Sequence, residues 1–369
     1  MATTLISRTL NPNPRTAEHI AEILQDPGFG RYFTDHMVTI RWTEDDGWHD
    51  AALVPYGPIA MDPATTFIHY GQAIFEGLKA YRQPDGSIST FRPDASAARF
   101  GRSAARLAMP AMPEDLFLAA LEALVGQDVA YVPFGQEKSL YIRPFMFSTE
   151  VGLGVHPANE YLFVMIASPA GAYFSRGVKP VSVWLCTDYI RAAPGGTGEA
   201  KCAGNYAASL LAQSEAADQG CDQVVWLDAL EHQWVEEMGG MNLFFVHGSG
   251  EDARLVTPAL SGSLLPGITR DSLLTLAKDT ALRPREARVS VEHWREGNAS
   301  GEITEVFACG TAAVITPVGS VLSDADSWTV GDGQPGPVTM RLRQELLDIQ
   351  TGQAHDVHGW MYTLVPAPE

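Results

Sequence analysis

The chain has 369 residues, more than one ordinary hydrophobic core organises, so two domains or one large one are expected. With 46% apolar and 19% charged residues it reads as a packed globular protein, not a disordered one. Its 25 Lys and Arg face 44 Asp and Glu, and a formal charge of −19 repels phosphate backbones and anionic lipid, which argues against nucleic acid and membrane as partners. An anionic ligand would need its cations gathered locally, which makes individual arginines informative.

The first 15 residues carry Arg8 and Arg15 and no acid, yet they lack an apolar leader core, and Pro12 and Pro14 break any amphipathic helix, so no targeting segment is expected. Residues 16–24 suit a short helix. Residues 37–61 alternate apolar and polar positions around Asp45-Asp46-Gly47, a hairpin signal. Pro93 and Asp94 open a helix over 94–108 that Pro110 stops, and 114–128 is helical too. Strands follow at Ser139–Phe147 and Tyr161–Ala167.

The segment 168–179, with Pro169, Gly171 and Gly177 and Pro180 just beyond, predicts an interdomain linker. After it come a strand at 181–185, a helix over 206–219 closed by Gly220, and strands at 223–228 and 243–248. A helix over 270–282, a buried strand at 305–310 and an amphipathic helix over 338–351 complete the chain. Strands and helices mix without a βαβ rhythm. The expectation is an α+β protein of two domains with mixed and antiparallel sheets: 1–168, a linker 169–180, and a larger domain 181–369. No stretch reaches the roughly 20 apolar residues of a membrane span. Cys186, Cys202, Cys221 and Cys309 form no CxxC pair and have no histidines at zinc-ligand spacing, which predicts reduced thiols, a cytoplasmic protein and no metal site.

Five places could carry chemistry. Lys201 lies within Gly195-Gly196-Thr197-Gly198-Glu199-Ala200-Lys201-Cys202-Ala203-Gly204. Small neighbours admit a planar ligand and desolvate the amine, which suits a nucleophilic lysine; the same pattern also suits a solvated surface loop. Pro266-Gly267-Ile268-Thr269 turns into a helix whose free N–H groups could bind a phosphate, or simply form a helix start capped by Thr269. Cys309-Gly310-Thr311-Ala312-Ala313 follows a buried strand and fits either an anion or a plain tight turn. Arg99, Arg102 and Arg106 share one helix face, where one could grip a phosphate or all could pair with carboxylates. Glu236 and Glu237 run into Gly239-Gly240; a buried carboxylate there could hold a pyridine ring protonated, and an exposed one would merely be solvated.

Taken together and in order, these segments are identified with a family. FTDHM (33–37), IHYGQAIFEGLKAYR (68–82), SLYIRP (139–144), GAYF (171–174), KCAGNYAASLLAQ (201–213), EEMGGMNLF (236–244), LLPGITRDSLL (264–274) and FACGTAAVITPVG (307–319) resemble the branched-chain aminotransferases of the fold-type IV pyridoxal-phosphate (PLP) enzymes. The resemblance implies a homodimer whose 181–369 domain binds PLP, and reversible amino transfer between leucine, isoleucine or valine and 2-oxoglutarate. It implies Lys201 as Schiff-base lysine and proton shuttle, Tyr206 at the cofactor's phenolic oxygen and Glu237, rather than Glu236, at its pyridine nitrogen. Arg99, the N–H groups of Ile268 and Thr269, and the Thr311 hydroxyl are implied at the phosphate. Phe29, Tyr70, Phe75, Tyr141, Tyr173 and Met241 are implied around the substrate side chain, the backbone of Ala312 and Ala313 at its α-carboxylate, and Arg143 at the glutamate carboxylate.

The chain departs from parts of the family. Ala313 and Thr316 stand where some members have a redox CxxC, Gly240 stands where some have threonine, and Cys202 is expected to be structural. The competing readings are another fold-type IV enzyme, such as a D-amino-acid aminotransferase or aminodeoxychorismate lyase, and a non-catalytic protein that binds PLP or amino acids.

Overall fold

The structure is a computed structural model that describes residues 6–135, 137–171, 177–280 and 282–368. Two compact units emerge: Met1–Ser175 with Ala200–Ala203 and Leu347–Glu369, and Arg176–Glu199 with Gly204–Leu346. Two segments that the sequence groups with the later domain therefore cluster with the first unit. The reasons are backbone hydrogen bonds. The strand Met361–Val365 pairs with Ile88–Phe91, and the Lys201 carbonyl accepts the Phe75 N–H. The strand Glu160–Ala170 also runs through Pro169 into the expected linker, residues 172–176 of which lie outside the described residues.

Unit 1 is built on a nine-stranded sheet. The hairpin His36–Thr43/Gly47–Pro55 forms around the expected turn, where Gly47 adopts a φ of 66° that a side chain would oppose. Its first strand pairs with Glu160–Ala170, which pairs along its whole length with Ser139–Ser148. Leu78–Arg82 and Ile88–Phe91 follow, and Ala73–Phe75 adds to Ser139–Ser148. Leu78–Arg82 and Ile88–Phe91 are buried on both faces and Ala73–Phe75 has only three residues, so none shows a clean period-2 signal. The helices Pro93–Arg106 and Glu114–Gln127 cover one face. Phe100 and Phe117 pack on Phe163 with ring centroids 5.6 and 6.2 Å away. Arg99, Arg102 and Arg106 do not act as one stripe: Arg99 is buried and the other two are exposed.

Unit 2 closes on itself. Val235–Met238, Gln223–Leu227, Val181–Cys186, Val314–Leu322, Ile303–Gly310 and Met241–His247 are neighbours in that order, and the last pairs back to the first. Closure removes the edges of those six strands. The interior is filled by Val183, Val225, Leu243, Phe245, Val306, Val321 and Trp294. Arg254–Pro258 and Arg285–Ala287 extend the sheet outward from Met241–His247. The helix expected over 206–219 is interrupted into Ala203–Ala207 and Leu210–Asp218, with Gly220 at φ 76° just past its end.

The loop that leads into Val235–Met238 is organised by Asp228. Its carboxylate accepts the N–H groups of Leu230, Glu231, Gln233 and Trp234 at 2.8–3.1 Å. Burial alone would raise this carboxyl, but the four donors outweigh it and hold it at about 2, below the ordinary 3.8. A carboxyl depressed by folding stabilises above its unfolded value, and the benefit is lost as pH falls through the folded one. Asp228 should thus contribute about 2 kcal/mol above pH 4 that disappears towards pH 2. Urea unfolding across that interval should show a shallower pH dependence in Asp228→Asn than in the parent; equal slopes would refute the assignment.

Candidate active site

In unit 1, Lys201 is held by its backbone on both sides. Its N–H donates to Ser103 Oγ at 2.9 Å, and its carbonyl accepts the Phe75 N–H at 3.0 Å. Cys202, buried, bridges the backbone of Ile74. The half-buried amine lies 4.9 Å from the Phe75 ring centroid. Arg143 packs against the same ring at 4.8 Å and donates to the Tyr141 hydroxyl at 3.0 Å. Phe29 meets Tyr141 edge-on at 4.9 Å. A cation, an arginine fork and three aromatic rings are therefore contiguous. Gly77 makes room for them: a Cβ there would lie 2.2 Å from the Tyr141 hydroxyl.

The next residue along the same short segment is Glu76. It is fully buried and grips Arg99 in a two-pronged pair, Nε to Oε1 at 2.7 Å and Nη2 to Oε2 at 2.8 Å. Tyr70 ends the short helix Thr66–Tyr70 and donates its hydroxyl to the Leu153 carbonyl. Tyr173 lies outside the described residues.

In unit 2, register gathers the other candidates at one end of the closed sheet. Glu237 pairs with Asn242 and Asn242 with Cys309, so the Met238–Met241 turn adjoins Gly310 and the turn Thr311–Ala313. Glu237 is buried; its carboxylate accepts the Leu265 N–H at 2.6 Å and the Asn242 side-chain amide at 3.3 Å, and lies 2.9 Å from Arg191 Nε. Glu236, on the opposite face as strand alternation requires, accepts the hydroxyls of Ser261 and Ser263, and burial pushes its carboxyl up. Tyr206 lies under Gly240, where a Cβ would come within 3.2 Å of its ring. The threonine found at that position in some family members would press on Tyr206.

The helix Ile268–Asp279 begins at Gly267, not at a Thr269 cap, and no side chain caps its first N–H groups. Asn242 Oδ1 would sit 2.1 Å from a Cβ at Gly267, so only glycine lets this helix start where it does. On either side of Lys201 in sequence, Thr197 and Asn205 exchange two hydrogen bonds, 2.7 and 2.8 Å, which fixes the Gly-rich loop. The remaining cysteines are buried and unpaired by disulfides, and burial pushes the thiols of Cys186, Cys221 and Cys309 up, away from reactivity.

Each unit thus brings its own share of the expected residues together: Phe29, Phe75, Tyr141, Arg143 and Lys201 in the first, Tyr206, Glu237, Met241, Ile268, Thr269 and the 311–313 turn in the second. Glu76, Arg191, Asn242, Thr197, Asn205 and Ser103 were not singled out from the sequence. A lone acid between Phe75 and Gly77, and a lone arginine before Pro194-Gly195-Gly196, were the available signals. In the second unit the donor set has the chemistry of a PLP site: a buried carboxylate that suits a pyridine nitrogen, a phenol, and uncapped helix N–H groups and a hydroxyl-bearing turn that suit a phosphate. The first unit contributes a lysine held by its backbone.

The family described as amino-transferase class IV matches residues 73–321, and the chain belongs to the class IV aminotransferases. A branched-chain-amino-acid aminotransferase of Mycolicibacterium smegmatis is 61% identical over 355 residues, 96% of each chain. That of Mycobacterium tuberculosis H37Rv is 60% identical over 353 residues, 95% of this chain and 96% of the other. Among solved structures, the Escherichia coli branched-chain amino acid aminotransferase aligns with a TM-score of 0.73 at 31% identity, covering 88% of this chain and 99% of that one. The T.th. branched-chain amino acid aminotransferase, solved with pyridoxamine 5'-phosphate, aligns at 0.72 and 31% identity, covering 88% and 98%.

Proposed function

We propose that this chain is a branched-chain-amino-acid aminotransferase, moving an amino group reversibly between leucine, isoleucine or valine and 2-oxoglutarate with PLP. The observation that carries the reading is the contiguity of Lys201 with Phe75, Tyr141 and Arg143. An aromatic wall suits an alkyl side chain, and an arginine at its edge suits the carboxylate of the alternative substrate. When bound, PLP stabilises negative charge at the substrate Cα and carries the amino group between the two half-reactions.

Lys201 Nζ would hold the cofactor and would take and return the proton at the substrate Cα; its backbone anchors limit the wander of the amine. Glu237 would keep the pyridine nitrogen protonated, and Arg191, Asn242 and the Leu265 N–H keep that carboxylate in place. Tyr206 would donate to the phenolic oxygen. The Ile268 and Thr269 N–H groups and the Thr311 hydroxyl would bind the phosphate, with Arg99 supplying charge. Phe29, Tyr70, Phe75, Tyr141, Tyr173 and Met241 take the side chain, and the backbone of Ala312 and Ala313 takes the α-carboxylate. We infer a homodimer in the cytoplasm, a compartment in which four free, buried thiols persist; among the described residues, no helix is long and apolar enough to cross a membrane.

The visible band of the PLP-loaded enzyme should fall on adding L-leucine and return with 2-oxoglutarate. A response to D-alanine and none to L-leucine would instead make this a D-amino-acid aminotransferase, and no response to any amino donor would leave a binding protein. Analytical ultracentrifugation would test the dimer.

A further inference from the structure

The strand Met241–His247 has two ends. Met241 belongs to the candidate active site; His247, six residues on, lies about 20 Å away at the rise of an extended chain. At that far end is a second cavity of about 540 Å³, lined by His247, Arg254, Arg283, Arg285, Arg288 and His293. Its size is within the roughly 300–1,000 Å³ of small-molecule sites.

Four of the chain's 25 Lys and Arg line this one cavity, in a chain with a formal charge of −19. Only two carboxylates share the lining, Asp252 and Glu302. Glu302 is engaged by the histidines, 3.3 Å from His247 Nδ1 and 3.8 Å from His293 Nε2. Arg288 is partly satisfied, stacked over Trp234 at 4.5 Å and 3.8 Å from Glu231. Among the described residues, no carboxylate lies within ion-pair distance of Arg254, Arg283 or Arg285. In a chain with far more acids than bases, four guanidinium groups around one cavity, three of them without a carboxylate at ion-pair distance among the described residues, make a local excess of positive charge.

The scaffold aims these side chains. Arg254 and Arg285 open two strands that pair in parallel at the sheet edge. Arg283 sits at a φ of 44°, a conformation that costs a non-glycine residue and that persists only where its surroundings impose it. His247 and His293 stack at 5.7 Å and 22°, forming one wall.

We propose that this cavity is a second ligand site that binds the phosphoryl groups of a phosphorylated small metabolite. Guanidinium forks match phosphate oxygens in pairs, and imidazoles add donors. His247, His293 and Glu302 also have the composition of a metal site, their ligand atoms within 4.8 Å of one another, but the surrounding guanidinium groups would repel a divalent cation. The two sources of the chemistry are a nucleotide-like polyphosphate and free phosphate.

The test is calorimetric titration of the PLP-saturated enzyme with ATP, pyrophosphate and orthophosphate, in chelator at constant ionic strength. PLP saturation keeps the candidate active site from competing for the probes. ATP or pyrophosphate should bind, and Arg254→Ser/Arg285→Ser should weaken binding at least about tenfold while leaving leucine transamination unchanged. Arg285→Glu, a single exposed change, should do the same if the double variant fails to fold. Tight ATP with weak orthophosphate would identify a polyphosphate ligand; equal affinity would identify free phosphate. No binding up to about 10 mM of any probe, or equal binding by the variants, would overturn the proposal.

Discussion

Lys201→Ala is expected to lower kcat for leucine by at least about 10³-fold, because the proposed function makes Lys201 both the point of attachment and the group that moves the Cα proton. The fold should persist. Both anchors of this residue, to Ser103 and Phe75, are made by its backbone and survive the substitution. The contact of the amine with the Phe75 ring is worth about 0.5–1 kcal/mol. Parallel measurement of single-turnover kinetics and of the thermal unfolding midpoint separates the two effects. A variant with near-normal turnover would remove Lys201 from the mechanism, and one with lost turnover and a collapsed midpoint would show a structural lysine instead.

The largest effect on stability is expected from Glu76→Ala. Arg99 is 4% exposed and Glu76 is wholly buried, so deleting the acid removes the bidentate counter-charge of a guanidinium that water hardly reaches. Breaking a buried pair from one side costs about 3–5 kcal/mol. The urea midpoint should fall with an unchanged m-value. Replacing both partners by leucine should recover much of the loss, since no charge is then left buried. If Glu76→Ala unfolds at the parental midpoint, the pair is not the anchor that its geometry indicates. Arg99→Ala adds a second readout. If the guanidinium also holds the cofactor phosphate, that variant should lose PLP on dialysis faster than Glu76→Ala does.

The pair also marks where reading the sequence stops. That Arg99 lies on a helix opened by Pro93 follows from local rules, and three arginines spaced along one face suggested a shared role. Only packing decided that Arg99 is buried on Glu76, 23 positions earlier, while Arg102 and Arg106 stay in solvent. Glu237 is similar. Its place at the edge of a Gly-Gly turn was visible, but Arg191 and the Leu265 N–H that hold it come from distant parts of the chain. The strands Ala73–Phe75 and Arg285–Ala287 went unread because three residues are too few to show alternation.

What the sequence determined by itself was chemical and local: an acidic α+β protein, its longer helices and strands, and a lysine, a phenol, a carboxylate and two small-residue turns in an order shared with a PLP enzyme family. Residue type, glycine placement and short-range periodicity suffice for that, because each acts within a turn or a strand. The tertiary structure decided the rest. It closed six strands into a ring, returned Met361–Val365 to the first unit, chose Glu76 as the partner of Arg99, and gathered four arginines around one cavity at the far end of the Met241–His247 strand. Those outcomes depend on hydrogen bonds and charges that meet only after distant segments pack, where the cost of burying an unpaired group selects one arrangement.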